Sequence, residues 1–256
     1  MAPGMASEKP FKLLEEFTEG KIGGFALIKQ AKENPDVLVK DIAILRPDVE
    51  NSKSGSVFLE TYDFDTFKRE IVDPIKFLQE HGFEKFIPAL EPVWAKDEDG
   101  EEKGFLIMKR VRGVDIEDLE KMSPRIAKEF DIFLSKHFEI ESEAFKSGGD
   151  IISPDILGLT ETGPMLSNLM VGKVSGDKEE HVYLVDLYPM KGSKDYFLNT
   201  SLEKENEIWA SVISDLESRA SGRYDFLSSR SAFKKYLFEL ENFKKRGGHK
   251  AEKAIF

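Results

Sequence analysis

The chain contains no cysteine, so disulfides, thiolate nucleophiles and Cys-ligated zinc are all excluded. Its 4 histidines, His81, His137, His181 and His249, are scattered, without the H-E-x-x-H spacing that puts two imidazoles on one helix face, which argues against a His-based metal centre. No apolar run approaches the roughly eighteen residues of a membrane-spanning helix, so no membrane association is expected. Positive charge is in deficit: Lys plus Arg number 37 against 48 Asp plus Glu, a formal charge of −11. That balance argues against nucleic-acid phosphates as the main partner. The opening MAPGMASEKP has no apolar core of the secretory kind, and with the missing cysteines this sets a reducing, cytoplasmic location as the expectation.

What is present suits a globular protein. The 256 residues are 40% hydrophobic and 33% charged, with 20 Phe spread along the chain, enough to bury a substantial core in one large domain or two lobes. Residues 1–10 and the basic, glycine-broken stretch 246–256 are expected to be flexible tails. The character of the sequence changes at Arg112-Gly113, with short apolar runs before it and longer helical patterns after it. Two domains, 11–112 and 113–245, follow.

In the first half, Gly20 to Lys29 reads as a glycine-turned hairpin and Asp36 to Lys40 as a strand. Asp65 to Glu80 reads as a helix containing Pro74, and Ile87–Trp94 and Phe105–Val111 as two more strands around a charged loop. This is a small antiparallel sheet with one helix on it. In the second half, Ser123-Pro124 is a helix start, with serine as cap and proline tolerated in the first turn. Ile126, Phe130, Phe133, Leu134, His137 and Phe138 follow at helical spacing. Thr200 and Glu203 have the spacing of a capping box before a second amphipathic helix, and Phe226 to Phe243 gives a third. Between them lie two short apolar strands joined by a polar hairpin, with Asn168 just before the first and Asp186 at the end of the second.

An amide and a carboxylate at matching edges of a hairpin form an oxygen set that suits Mg²⁺ when phosphate oxygens complete its shell. The same residues also serve as ordinary turn formers and strand-end caps. Gly23, Gly24 and Phe25 can bring backbone N–H groups to an anion, or form a plain turn. Lys40 ends an apolar strand, where its ammonium points inward only with an anionic partner, and Glu70 on the following helix can be that partner.

Taken in order, KIGGFALI, VLVK ending at Lys40, FKRE ending at Glu70, the strand through Met108 to Arg110, Asn168 and Asp186 resemble the protein kinase-like superfamily, including the aminoglycoside and choline phosphotransferases. The match covers roughly residues 13–190. The resemblance implies an α+β, bilobal fold with a small antiparallel-sheet lobe carrying one helix and a mostly helical large lobe. It implies ATP and Mg²⁺ as ligands: glycine-rich segment over the phosphates, Lys40 paired with Glu70, adenine at the backbone of Met108 to Arg110, and metal at Asn168 and Asp186.

The departures carry equal weight. The D-x-x-x-x-N spacing puts Gly163 where the family has the aspartate that accepts the substrate's proton, and Asp186 is followed by Leu-Tyr in place of Phe-Gly. Three functions therefore stand open: a pseudokinase that binds nucleotide and presents a conformation to a partner protein, an atypical phosphotransferase in which Glu161 or Asp155 replaces the base, and an interaction protein that binds no nucleotide.

Overall fold

The computed structural model describes residues 24–42, 44–47, 56–59, 62–148, 151–154, 156–160, 163–166, 168–186, 189–192, 194–222 and 224–253. It is a mixed α+β protein with small antiparallel sheets. Among the described residues no helix is long and apolar enough to cross a membrane. The chain divides into two units. The first takes Met1–Pro74, Pro88–Arg112 and Lys173–Glu179; the second takes Ile75–Ile87, Gly113–Gly172 and Glu180–Phe256. The chain thus passes between units at Arg112-Gly113, and each unit also borrows a segment from the other's stretch of sequence.

The first unit is built on a sheet in the order β1 (Val37–Asp41), β5 (Glu102–Lys109), β4 (Leu90–Lys96), all antiparallel. A separate antiparallel ribbon pairs β2 (Ile44–Pro47) with β3 (Ser56–Leu59). Because side chains alternate along a strand, each sheet face collects every second residue. One face, Val37, Val39, Val93, Ala95, Phe105 and Ile107, packs against Ile28 and Ala31 of helix α1 (Gly24–Lys32). This corrects the expected glycine hairpin: Gly24 and Phe25 open a helix. The three-residue spacing of Ile28 and Ala31 gives that helix a buried edge, which outweighs the turn tendency of the glycine pair.

The other sheet face meets the helix that begins with α2 (Phe64–Phe67). Asp63 caps it, its side chain accepting the amide proton of Thr66 at 2.8 Å. A Cβ on Gly104 would lie 2.3 Å from the Phe67 ring, so only glycine admits that ring to the sheet, where it also packs 5.6 Å from Trp94. The helix widens to a π-type turn over Lys68–Val72 before α3 (Asp73–Leu78). Pro74 explains the widening: it has no amide proton for the carbonyl of Glu70 and its ring crowds that carbonyl.

The second unit centres on α4 (Pro124–Ser147), which starts as its sequence requires. Ser123 Oγ accepts the Ile126 amide proton at 3.3 Å, and Gly148 ends the helix at a φ of 68°. Its apolar stripe packs against α6 (Leu202–Arg219) and α7 (Leu227–Lys253), with Phe138 4.9 Å from Trp209 and 5.1 Å from Phe233. The cap of α6 is Ser201, accepting from the Lys204 amide at 3.0 Å, one residue beyond the expected Thr200. Helix α7 continues past residue 246 through Gly247 to Lys253. Short ribbons complete the unit: β7 (Ile151–Pro154) with β12 (Pro189–Gly192), and β8 (Leu157–Thr160) with β9 (Gly163–Leu166). The short helix α5 (Lys194–Asn199) follows β12.

Candidate functional site

The hairpin of β10 (Leu169–Lys173) and β11 (His181–Leu184) has the expected form, with Leu169 opposite Leu184 and Val171 opposite Val182. Strand β6 (Arg112–Asp115) extends it on the β10 side. The approach is close at Gly113, where a Cβ would stand 2.1 Å from the Val171 carbonyl oxygen. Leu169, Val171, Val182 and Leu184 are all buried and, as cross-strand pairs, share one face of the hairpin.

That register brings Asn168 and Asp186 to one end of the hairpin. Val185 N–H donates to the Asn168 carbonyl at 2.8 Å, and Asp186 is the next residue. Asn168 is the one described non-glycine residue with positive φ, at 65°, a conformation asparagine tolerates better than most and one that turns the chain sharply into β10. Both residues are half-buried. From the other side, Glu129 of α4 pins β11: its carboxylate accepts the Val182 amide proton at 3.0 Å, contacts His181 Nδ1 at 3.0 Å and accepts from Arg125 at 2.9 Å. Glu129 thus holds the turn end of the hairpin, while Asn168 and Asp186 at its open end are two hard oxygen donors of the kind that suits a cation taking its other ligands from water and phosphate. Among the described residues no three His, Asp or Glu gather into a metal cage, so a phosphate-bearing ligand would have to complete that shell.

In the first unit, Lys40 lies opposite Leu106, on the sheet face that packs against Phe67. Glu70 follows Phe67 by one turn on the same helix, is half-buried, and accepts a hydrogen bond from Arg69 Nε at 2.7 Å. The two residues therefore share one side of the sheet. Met108 is buried in β5 between Leu38 and Leu90. Arg110 donates its amide proton to the Asp36 carbonyl at 2.9 Å. Gly163 opens strand β9, opposite Thr160, where the resemblance puts the start of an open loop. Gly23, Asp155 and Glu161 lie outside the described residues.

A second group went unread in the sequence. His137, Glu141 and Glu205 are each at most 4% exposed. His137 Nε2 stands 3.6 Å from Glu141 Oε2, and neither imidazole nitrogen has a hydrogen-bond partner. Ser153 Oγ donates to Glu141 at 2.9 Å and Tyr236 O–H donates to Glu205 at 2.8 Å. Burial pushes the Glu141 carboxyl up to about 8, against the Ser153 hydrogen bond and with added repulsion from Glu205. Burial also pulls the His137 imidazole down to about 3. The signal was present: Glu141 sits four residues after His137 on the stripe that runs from Phe130 to Phe145, so a helix burying that stripe has to bury the acid. The group is sealed in the helical core, far from the exposure a substrate site needs.

Comparison with protein-family models, with curated proteins and with solved structures finds no match for the chain.

Proposed function

We propose that the chain is a kinase-like nucleotide-binding protein and acts as a pseudokinase in the cytoplasm, the sheet unit serving as its small lobe and the helical unit as its large lobe. The observation that carries this reading is the open end of the β10–β11 hairpin, where the Asn168 carbonyl receives the Val185 amide and Asp186 follows directly. A Mg²⁺ held by the Asn168 amide oxygen and the Asp186 carboxylate would neutralise charge on ATP phosphates. Gly163 favours the pseudokinase over the transferase, because glycine offers no oxygen to take a hydroxyl proton. In the alternative transferase, Glu161 or Asp155 would take that proton while the ATP γ-phosphate passes to a protein or small-molecule hydroxyl. A third reading, an interaction protein without nucleotide, is favoured by helix α1 at Gly24–Lys32, which removes the expected phosphate-covering hairpin.

Thermal unfolding with Mg-ADP separates these readings. At a hundredfold excess over the dissociation constant, binding stabilises by about 2.7 kcal/mol, a rise in melting temperature of about 5 °C or more for a chain of this size. Asp186→Asn should reduce that rise. No shift in the wild type at millimolar Mg-ADP refutes nucleotide binding. Transfer of labelled phosphate from ATP to any acceptor, lost in Glu161→Gln or Asp155→Asn, replaces the pseudokinase with the transferase.

A further inference from the structure

Asn168 is reached through Leu166, the last residue of β9, and an isolated two-stranded ribbon such as β8–β9 is marginally stable in water by itself. Something outside the ribbon has to hold its end if Asn168 is to keep one position. The structure supplies it: Glu117 Oε1 accepts the Leu166 amide proton. Glu117 lies in a single 3₁₀ turn, Ile116–Asp118, just after β6. Its other carboxylate oxygen stands 3.8 Å from the Arg219 guanidinium at the end of α6. That guanidinium is 18% exposed, donates to the Ile116 carbonyl at 2.8 Å and pairs with Asp215. Arg219 thereby fixes both the turn that carries Glu117 and the carboxylate itself. These groups line a cavity of about 270 Å³ beside Leu166, with Ser211 and Val212 completing the wall.

We propose that Glu117, held by Arg219, is a positioning residue that anchors the end of β9 and so fixes Asn168 for a metal-bound phosphate. The proposal rests on the nucleotide-binding reading and adds to it the group that organises its metal end. An anchored strand end limits where a residue two positions on can go, since each residue spans at most about 3.6 Å. The left-handed turn at Asn168 then sets its direction into β10. A partner bonded directly to a metal ligand is worth about 10–100-fold in metal affinity; Glu117 bonds the backbone two residues before Asn168, so the lower end of that range, about tenfold, is the ceiling for its loss.

The test compares the full-length wild type with Glu117→Ala and Glu117→Gln by two readouts: amide hydrogen exchange at Leu166, and ADP affinity by calorimetry with Mg²⁺ and with EDTA. Glu117→Ala should speed Leu166 exchange and cut the Mg²⁺-dependent gain in ADP affinity severalfold, to a ceiling of about tenfold, while affinity in EDTA stays unchanged. Glu117→Gln keeps an oxygen acceptor for Leu166 and should retain most of both. If Glu117→Ala fails to fold, Arg219→Lys is measured in its place, since it loses the fork that holds Glu117, and the same two losses are expected in smaller size. A folded Glu117→Ala with wild-type exchange and a wild-type Mg²⁺ gain overturns the positioning role alone. A wild type with no Mg²⁺-dependent ADP binding overturns the nucleotide reading and takes the positioning role with it.

Discussion

Replacing Glu141 by Gln should change how stability depends on pH, in a form fixed by the buried His137–Glu141 pair. With His137 held down to about 3 and Glu141 raised to about 8, the folded pair keeps one proton across that whole range. Whether the proton rests on the carboxyl or the imidazole makes no difference to the count. The unfolded chain holds two protons on these residues below pH 4.5, one between 4.5 and 6.5, and none above 6.5, from the ordinary values of 4.5 and 6.5. Stability rises with pH wherever the unfolded state binds more protons. The pair therefore makes stability rise from about pH 3 to 4.5 and leaves it level from 4.5 to 6.5. From 6.5 to about 8 it makes stability fall. Each slope is roughly tenfold in the folding equilibrium per pH unit, on the order of 1 kcal/mol. Glu141→Gln keeps an acceptor for Ser153 Oγ and removes the falling arm. Urea unfolding of both proteins at pH 5.5, 6.5, 7.5 and 8.5 isolates the pair, because other titrations cancel in the difference. The variant should gain on the wild type by on the order of 2 kcal/mol between pH 6.5 and 8. A difference that stays constant with pH refutes the assignment. Glu205 on α6, bonded by Tyr236 of α7, is the other buried acid near Glu141 and is unchanged in both proteins.

Three further outcomes follow from local geometry. Ser123→Ala removes the cap of α4 and should cost about 1 kcal/mol in urea unfolding; no loss would mean that Ser123 Oγ does not serve Ile126. Tyr236→Phe leaves the buried Glu205 without its hydroxyl donor and should cost roughly 1–3 kcal/mol, with the loss shrinking in Glu205→Gln, whose amide bears no charge. Gly113→Ala forces its methyl against the Val171 carbonyl and should loosen β6 from β10, seen as faster amide exchange in both strands; unchanged exchange would show that the strands adjust at no cost.

How much of this was legible in the sequence depended on how local the signal was. Ser123 followed by Pro124 marks the start of α4 because capping involves only neighbouring residues. The β10–β11 hairpin was legible because its apolar runs flank a polar turn. Strand Val37–Asp41 and the pair β4 and β5 were legible for the same reason. Where tertiary packing competes with a local preference, the reading failed. The Gly23-Gly24 pair suggested a turn, yet Ile28 and Ala31 are buried on the sheet and hold a helix. Gly247 suggested a break, yet Leu198 fills the space a Cβ would need, and Lys244 donates to the Leu198 carbonyl at 2.9 Å, so the helix continues. The four-residue strands β2, β3, β7, β8, β9 and β12 are too short to show alternation. At the candidate site, Asn168 and Asp186 were readable from hairpin symmetry. Glu117 was not, because its partner Leu166 is far along the chain and contributes only a backbone amide.

The most direct test of the central claim is calorimetric titration of ADP, with Mg²⁺ and with EDTA, into the wild type and into Asp186→Asn. The account predicts that the wild type binds ADP more tightly with Mg²⁺, by about tenfold or more, and that Asp186→Asn loses this gain while its affinity in EDTA is unchanged. A wild type that binds no ADP at millimolar concentration, or a Mg²⁺ gain that survives in Asp186→Asn, would contradict it.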